Sequence, residues 1–213
     1  LFLIDYADEI YFGLNNLENH RKWYSFLNVS NLDEAIKIIK LAINKNKKSY
    51  IAANEIYSEE KMKDAIKTIE ILLANGLDGI ILKDINLASY FKNKTDIILS
   101  STAAVFNRDS LLFYKKHTGL KRFIIPQHLY PYEAIKMMKI KNVEYEIFYL
   151  PDVYCANIDG VCSYHDFDGR IRKKTNCNYK LEIDGRKLFM AQPSVYERLK
   201  MIYNYYKMGV RYI

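Results

Sequence analysis

Asn75-Gly76-Leu77-Asp78-Gly79-Ile80-Ile81-Leu82 is the stretch whose reading decides the fold. Its first two residues supply a left-handed stop for a preceding helix. Its last four are a short apolar run rich in β-branched side chains, which predicts a strand buried on both faces. Upstream, Ser58 opens a segment that places Met62, Ala65, Ile66, Ile69, Leu72 and Leu73 on one helical face. One helix leading directly into one buried strand is half of a β/α repeat.

The same unit recurs in both directions. Toward the N-terminus, Asn31 stands three residues before Glu34 in a capping-box-like start. Leu32, Ala35, Ile36, Ile39 and Ile43 then follow at helical spacing. Strands are predicted at Glu9 to Phe12, Tyr50 to Ala53, Gly79 to Leu82, Ile97 to Leu99, Phe123 to Ile125, Glu146 to Tyr149 and Val210 to Ile213. Apolar strands alternating with helices indicate a parallel sheet covered on both sides. A doubly wound sheet and an eight-fold barrel both fit, and repeated units of roughly 25 to 30 residues favour the barrel. The expected fold is therefore α/β, a (β/α)8 TIM-like barrel whose first strand is missing. A single domain over residues 1–213 is expected, since 213 residues suffice for one substantial core. The chain lacks an initiator Met and stops at Gly209-Val210-Arg211-Tyr212-Ile213, so it reads as a piece of a longer protein.

Composition narrows the function classes. Apolar residues make up 50% and charged residues 27%, which is globular and not disordered. No apolar run reaches the length of a membrane span and no signal-peptide pattern opens the chain, so a cytoplasmic address is expected. The net charge of +7 favours anionic partners such as RNA or a small acidic molecule. No G-x-G-x-x-G or P-loop follows any strand, and neither H-E-x-x-H nor G-x-S-x-G is found.

One interval breaks the rhythm. Between Tyr149 and a helix predicted over Pro193 to Tyr206 lies a long stretch of little periodicity, an insertion over about residues 150–192, and it holds all three cysteines. Cys155, Cys162 and Cys177 are an odd number in a chain without secretion signals, which argues against disulfides. Zinc ribbons use tight C-x2-C pairs, which are absent. Iron-sulfur clusters accept wider spacing but usually take four thiolates. The fourth ligand could lie beyond the sequence, be His165 or Asp166, or be an open position.

In β/α barrels the active site forms at the C-terminal ends of the strands. The residues there are Gly13, Asn15 and Asn16; Asn54 and Glu55; Asp84; Ser100, Ser101 and Thr102; Gln127 and His128. Asn15, Asn54, Ser101, Thr102 and Gln127 are the expected substrate-binding residues, with Asp84 and His128 expected in catalysis. His128 is the best general acid or base by residue type. Asn, Ser and Asp also cap helices at these positions, so each has a structural reading beside the functional one.

Several motifs together resemble a known family. Ala7-Asp8-Glu9-Ile10-Tyr11-Phe12-Gly13-Leu14 looks like the ADxVYFGL opening of the collagenase-like peptidase U32 family, and Tyr50 to Asn54 is similar to its YxxxN strand end. Gly76 to Ile81 with Asp84 resembles its GxDxIIxxD, and Ser101-Thr102 its STQ. Glu144 to Phe148, followed by Cys155 and Gly160-Val161-Cys162, resembles its ExEvFxxGxxCxxxxGxC, and Asn176-Cys177 its NxGxC. The departures are Gln127-His128-Leu129 where the family has REL, Ala103 where it has Gln, and Leu150-Pro151 where it has HG. The resemblance implies a barrel and a 4Fe-4S cluster on Cys155, Cys162 and Cys177. It further implies oxygen-independent hydroxylation, as in members acting on ubiquinone precursors or RNA bases with prephenate as hydroxyl donor. Two alternatives stand beside it: a collagenase-like peptidase, and a non-catalytic subunit working with a second barrel of the same family.

Overall fold

The computed structural model describes residues 4–20, 28–149, 180–189 and 194–213. Seven strands form one all-parallel sheet: β1 (Glu9–Leu14), β2 (Asn28–Val29), β3 (Lys48–Ala53), β4 (Gly79–Leu82), β5 (Asp96–Leu99), β6 (Arg122–Ile124) and β7 (Glu144–Glu146). Their spatial order is β2-β1-β3-β4-β5-β6-β7, so from β4 onward each strand lies beside its predecessor. Helices α1 (Leu32–Asn44), α2 (Glu59–Ala74), α3 (Ile85–Phe91), α4 (Arg108–Thr118) and the single turn α5 (Pro131–Ala134) lie between successive strands, and α6 (Val195–Lys207) follows later.

The helix ends form as the sequence dictates. Asn31 accepts from the Glu34 amide and Ser58 from the Lys61 amide, each satisfying a first-turn N–H. Glu34 reaches back to the Ser30 amide at 3.3 Å, one residue earlier than the capping-box pattern places it. Gly76, at φ +97°, turns the chain out of α2 and into β4.

Strand alternation sorts the side chains into two cores. Phe12, Leu14, Ile51, Ala53, Ile80, Leu82, Ile97, Leu99 and Phe123 pack outward against the helices, with Ala35, Ile39, Ile69, Leu72, Leu87 and Phe91 facing them. The other face gathers Tyr50, Ile81, Ile98 and Ile124 into a small inner cluster. In a flat sheet the four steps from β1 to β6 would span about 19 Å. Yet Arg122 of β6 makes two hydrogen bonds to Glu9 of β1, at 2.6 and 3.0 Å. The sheet must curl to bring those inner faces together, consistent with an incomplete TIM-like barrel. Past β7 the curl continues through a parallel bridge between Glu146 and Tyr212.

Three expectations shift. The sixth predicted strand pairs earlier, over Glu144–Glu146, while Phe148 and Tyr149 are exposed at the strand end; their β propensity drew the boundary too late. The predicted strand at Val210 to Ile213 contributes only the bridge at Tyr212. The stretch read as irregular contains a hairpin, β8 (Lys180–Ile183) with β9 (Arg186–Phe189). Its turn residues Asp184 and Gly185 both take positive φ, the geometry that Asp-Gly favours. Cys155, Cys162 and Cys177, with His165 and Asp166, lie outside the described residues.

Candidate functional site

Parallel strands place all their C-terminal ends at one rim. Extending the pairing Ala53↔Leu82↔Leu99 by one residue sets Asn54, Lys83 and Ser100 side by side there, all on the inner face. Asn54 and Ser100 hydrogen-bond across the intervening strand, from Nδ2 to Oγ at 3.2 Å. Thr102 closes the network: its hydroxyl lies 2.9 Å from that of Ser100 and donates to the Asn54 carbonyl at 3.1 Å, while its amide donates to Ser100 Oγ. With the Thr102 proton on the carbonyl, the Ser100 hydroxyl proton is directed at Thr102. The three residues thus brace β3 to β5 over β4, and one Asn54 amide proton is left over.

Beside the brace lies a charged chain. Lys83 Nζ is 2.6 Å from one oxygen of Glu55, and His20 Nδ1 is 3.2 Å from the other. The His20 backbone amide is held by Asn54 Oδ1 at 2.9 Å. Side-chain exposure falls along the chain, from 45% at His20 to 22% at Glu55 and 6% at Lys83, so it leads from solvent to the inside of the rim. Burial pushes the Glu55 carboxyl up, but hydrogen bonds from His20 and Lys83 outweigh it and hold the group below its ordinary value. A depressed carboxyl contributes stability that is present above the unfolded value, near 4.5, and is lost as pH falls through the lower folded value. Glu55→Gln is expected to shallow the loss of stability between neutral pH and about pH 3 in denaturant titrations. An acid limb identical to wild type would contradict this.

Asp84 is spoken for. Its Oδ1 accepts from the Asn86 and Leu87 amides, capping α3, and its Oδ2 accepts from the Tyr57 amide. Both oxygens of this buried carboxylate therefore serve backbone. Asn15 is exposed after β1, where its amide donates to Val29. Ser101 opens a 3-10 turn, Ser101–Ala103, that ends on Ala104 in the left-handed region at φ 55°. A non-glycine residue there stores about 1 to 2 kcal/mol of strain at the rim. Gln127 and His128 stand one strand further round, after β6. Gln127 lines a largely apolar pocket with Phe148, Arg198, Met201 and Tyr205, and His128 meets Phe106 edge-on, centroids 6.3 Å apart.

Four residues of this rim are missing from the sequence-based candidates: His20, Lys83, Asn19 and Asn28. Gly13, paired with Asn28, faces inward, and a Cβ on it would sit 2.1 Å from Asn28 Oδ1. Glycine at 13 is what lets the Asn28 amide lie against the strand. Both Asn28 amide atoms and Asn19 Oδ1 are buried without a hydrogen-bond partner among the described residues, which makes this corner fit for a water or a polar substrate atom. Period-2 alternation from Ile81 could have placed Lys83 on the inner face. The others arise from loops and from a two-residue strand too short to be legible.

Among the described residues no group of three or more His, Cys, Asp or Glu side chains is arranged to hold a metal ion. The model of Peptidase family U32 matches residues 2–198. The chain belongs to peptidase family U32. This U32 chain is also similar in structure to the U32 peptidase Mk0906, with a TM-score of 0.53 at 13% identity. That match covers 67% of this chain and 61% of the other, and at such identity it shows the fold alone. This U32 chain thus spans about three fifths of that relative. No helix among the described residues is long and apolar enough to cross a membrane.

Proposed function

We propose that this U32 protein is an iron-sulfur-dependent, oxygen-independent hydroxylase of the cytoplasm, acting on RNA bases or a small anionic molecule with prephenate as hydroxyl donor. The observation that carries the reading is the chemistry of the rim. Among the described residues, the rim hydroxyls of Ser100 and Thr102 are bonded to each other and to Asn54, and His20 Nδ1 lies 3.2 Å from a Glu55 carboxylate oxygen. That is a poor arrangement for a serine-type peptidase, which needs a hydroxyl on a base. The chain leaves β7 at this same rim and runs on into the segment carrying Cys155, Cys162 and Cys177.

Three thiolates are a donor set suited to an iron-sulfur cluster with one position open. Cys155, Cys162 and Cys177 would hold it, and bound there it would supply redox and Lewis-acid chemistry toward a hydroxyl donor such as prephenate. This chain's own part would be to orient the substrate. The buried Asn28 amide offers a donor and an acceptor, the spare Asn54 proton a second donor, and the Lys83–Glu55 pair a local charge. Gln127 and His128 would meet substrate from the β6 side, and Asn15 from the mouth.

Anaerobic purification followed by iron and acid-labile sulfide analysis tests the reading. Iron and sulfide in about equal amounts are expected, and replacing any of the three cysteines by Ala should remove most of both together with the visible absorption. Colourless, iron-free protein under those conditions would sink the cluster. Cleavage of denatured collagen by such protein would favour the peptidase reading instead. Activity only after copurification with a second U32 chain would favour the partner-subunit reading.

A further inference from the structure

We propose that Lys83 is an imine-forming nucleophile for small ketones, served by Glu55 as its proton acceptor and donor. The inference is independent of whether the cysteine segment carries a cluster. A lysine buried to 6% exposure at the C-terminal end of a sheet strand is unusual, because a long cation ordinarily carries its head to water. Lys83 is instead pinned inward. Its neighbours on both sides, Asn54 and Ser100, are braced to each other across it, and Ile81 lies below it on the same strand face. A lysine held in one position with a proton acceptor beside it is the arrangement used to attack carbonyl groups.

The required proton acceptor is in place at 2.6 Å. Glu55 takes a proton from the Lys83 ammonium, and the freed Nζ lone pair adds to the carbonyl carbon as the C–O π pair moves to oxygen. A proton passes from the new C–N nitrogen to that oxygen, giving a neutral carbinolamine. Glu55 then returns its proton to the hydroxyl, which leaves as water while the nitrogen lone pair forms the C=N bond. Ammonium and ketone become iminium and water, with no change of oxidation state and no further reactant. The second proton on Asn54 Nδ2 would hold the carbonyl oxygen, and His20 Nδ1 lies 3.2 Å from the far oxygen of Glu55.

The test uses the full chain with pyruvate and butanone as separate probes, each with sodium cyanoborohydride, followed by peptide mapping by mass spectrometry. Reduction turns the imine into a stable secondary amine on the lysine that formed it. Lys83 is expected to be labelled at least about tenfold faster than exposed lysines such as Lys37 and Lys40, because Glu55 supplies general acid-base assistance beside it. Labelling by both probes assigns a ketone site, and labelling by pyruvate alone a keto-acid site. Glu55→Gln should slow the reaction about 100-fold while circular dichroism stays unchanged. Lys83 labelled no faster than exposed lysines overturns the proposal, as does a folded Glu55→Gln protein that reacts at the wild-type rate. Should that variant fail to fold, the wild-type comparison between lysines decides alone.

Discussion

Arg122→Met is expected to destabilise the protein by about 3 to 5 kcal/mol, the usual cost of breaking an ion-pair network by removing its buried partner. Arg122 is 5% exposed on the inner face of β6. It bonds twice to Glu9, once to Glu146 at 3.2 Å, and its guanidinium lies 3.4 Å from the centroid of the Tyr212 ring. A thioether fills similar space and stacks on the ring, but it leaves two carboxylates facing each other inside the curl. The loss corresponds to a fall of about 6 to 20 °C in melting temperature for a chain of this size. Burial already raises the Glu146 carboxyl, and Arg122 offsets this only in part. With Arg122 gone the carboxyl rises further. A raised carboxyl is most favourable where it is protonated, and its cost grows as pH climbs through the folded value. The deficit of the variant should therefore shrink from pH 7 toward about pH 5. A deficit constant with pH, or a melting temperature within a degree or two of wild type, would show that the charges are hydrated and the curl does not depend on them.

Asp84→Ala is the second large effect, expected at about 2 to 4 kcal/mol from a lost helix cap together with a buried backbone amide left unpaired. The change orphans the amides of Tyr57, Asn86 and Leu87 together. It releases the loop after β3 as well as the start of α3, so the denaturant midpoint should drop at an unchanged slope. Asp84→Asn keeps one acceptor oxygen and should recover part of the loss. This pair of variants also separates structure from chemistry at this position. A carboxylate working as a general base would make the Asn variant nearly as stable as wild type yet inactive, whereas a brace makes activity follow stability.

The fold was legible because its signals are local and repeated. Gly79–Leu82 is predicted and observed with the same bounds, and Ser58 and Asn75-Gly76 punctuate α2 as residue type dictates. The hairpin at Asp184-Gly185 carries its turn signal in two residues within a stretch that is otherwise without periodicity. The rim was legible only in part, since strand position nominates residues without saying what their atoms are bonded to. Asn54 and Thr102 lie at the rim as expected, but they are bonded to each other's segments, and Asp84 is occupied by backbone. Lys83 and Arg122 are not legible as interior residues, because a basic residue at a strand end reads as solvated. Alternation from Ile81 sets Lys83 on one face of the sheet, but only the curl makes that face an interior, and curl is a property of seven strands together.

The pairing of Glu9 with Arg122 spans 113 residues, which bears on how the chain folds as it is made. At roughly 5 to 20 residues per second, β1 would wait about 6 to 23 seconds after its own synthesis before its partner cation exists. Contacts this distant in sequence are slow to form, since the intervening chain must first give up its freedom. Meanwhile β1, β3 and β4 can pair with one another as they emerge, holding an open sheet whose inner face stays wet. Closure of the inner face then waits until Arg122 has been made, and a ribosome paused before Arg122 would carry a half-built sheet with an unpaired edge, the species most in need of a chaperone.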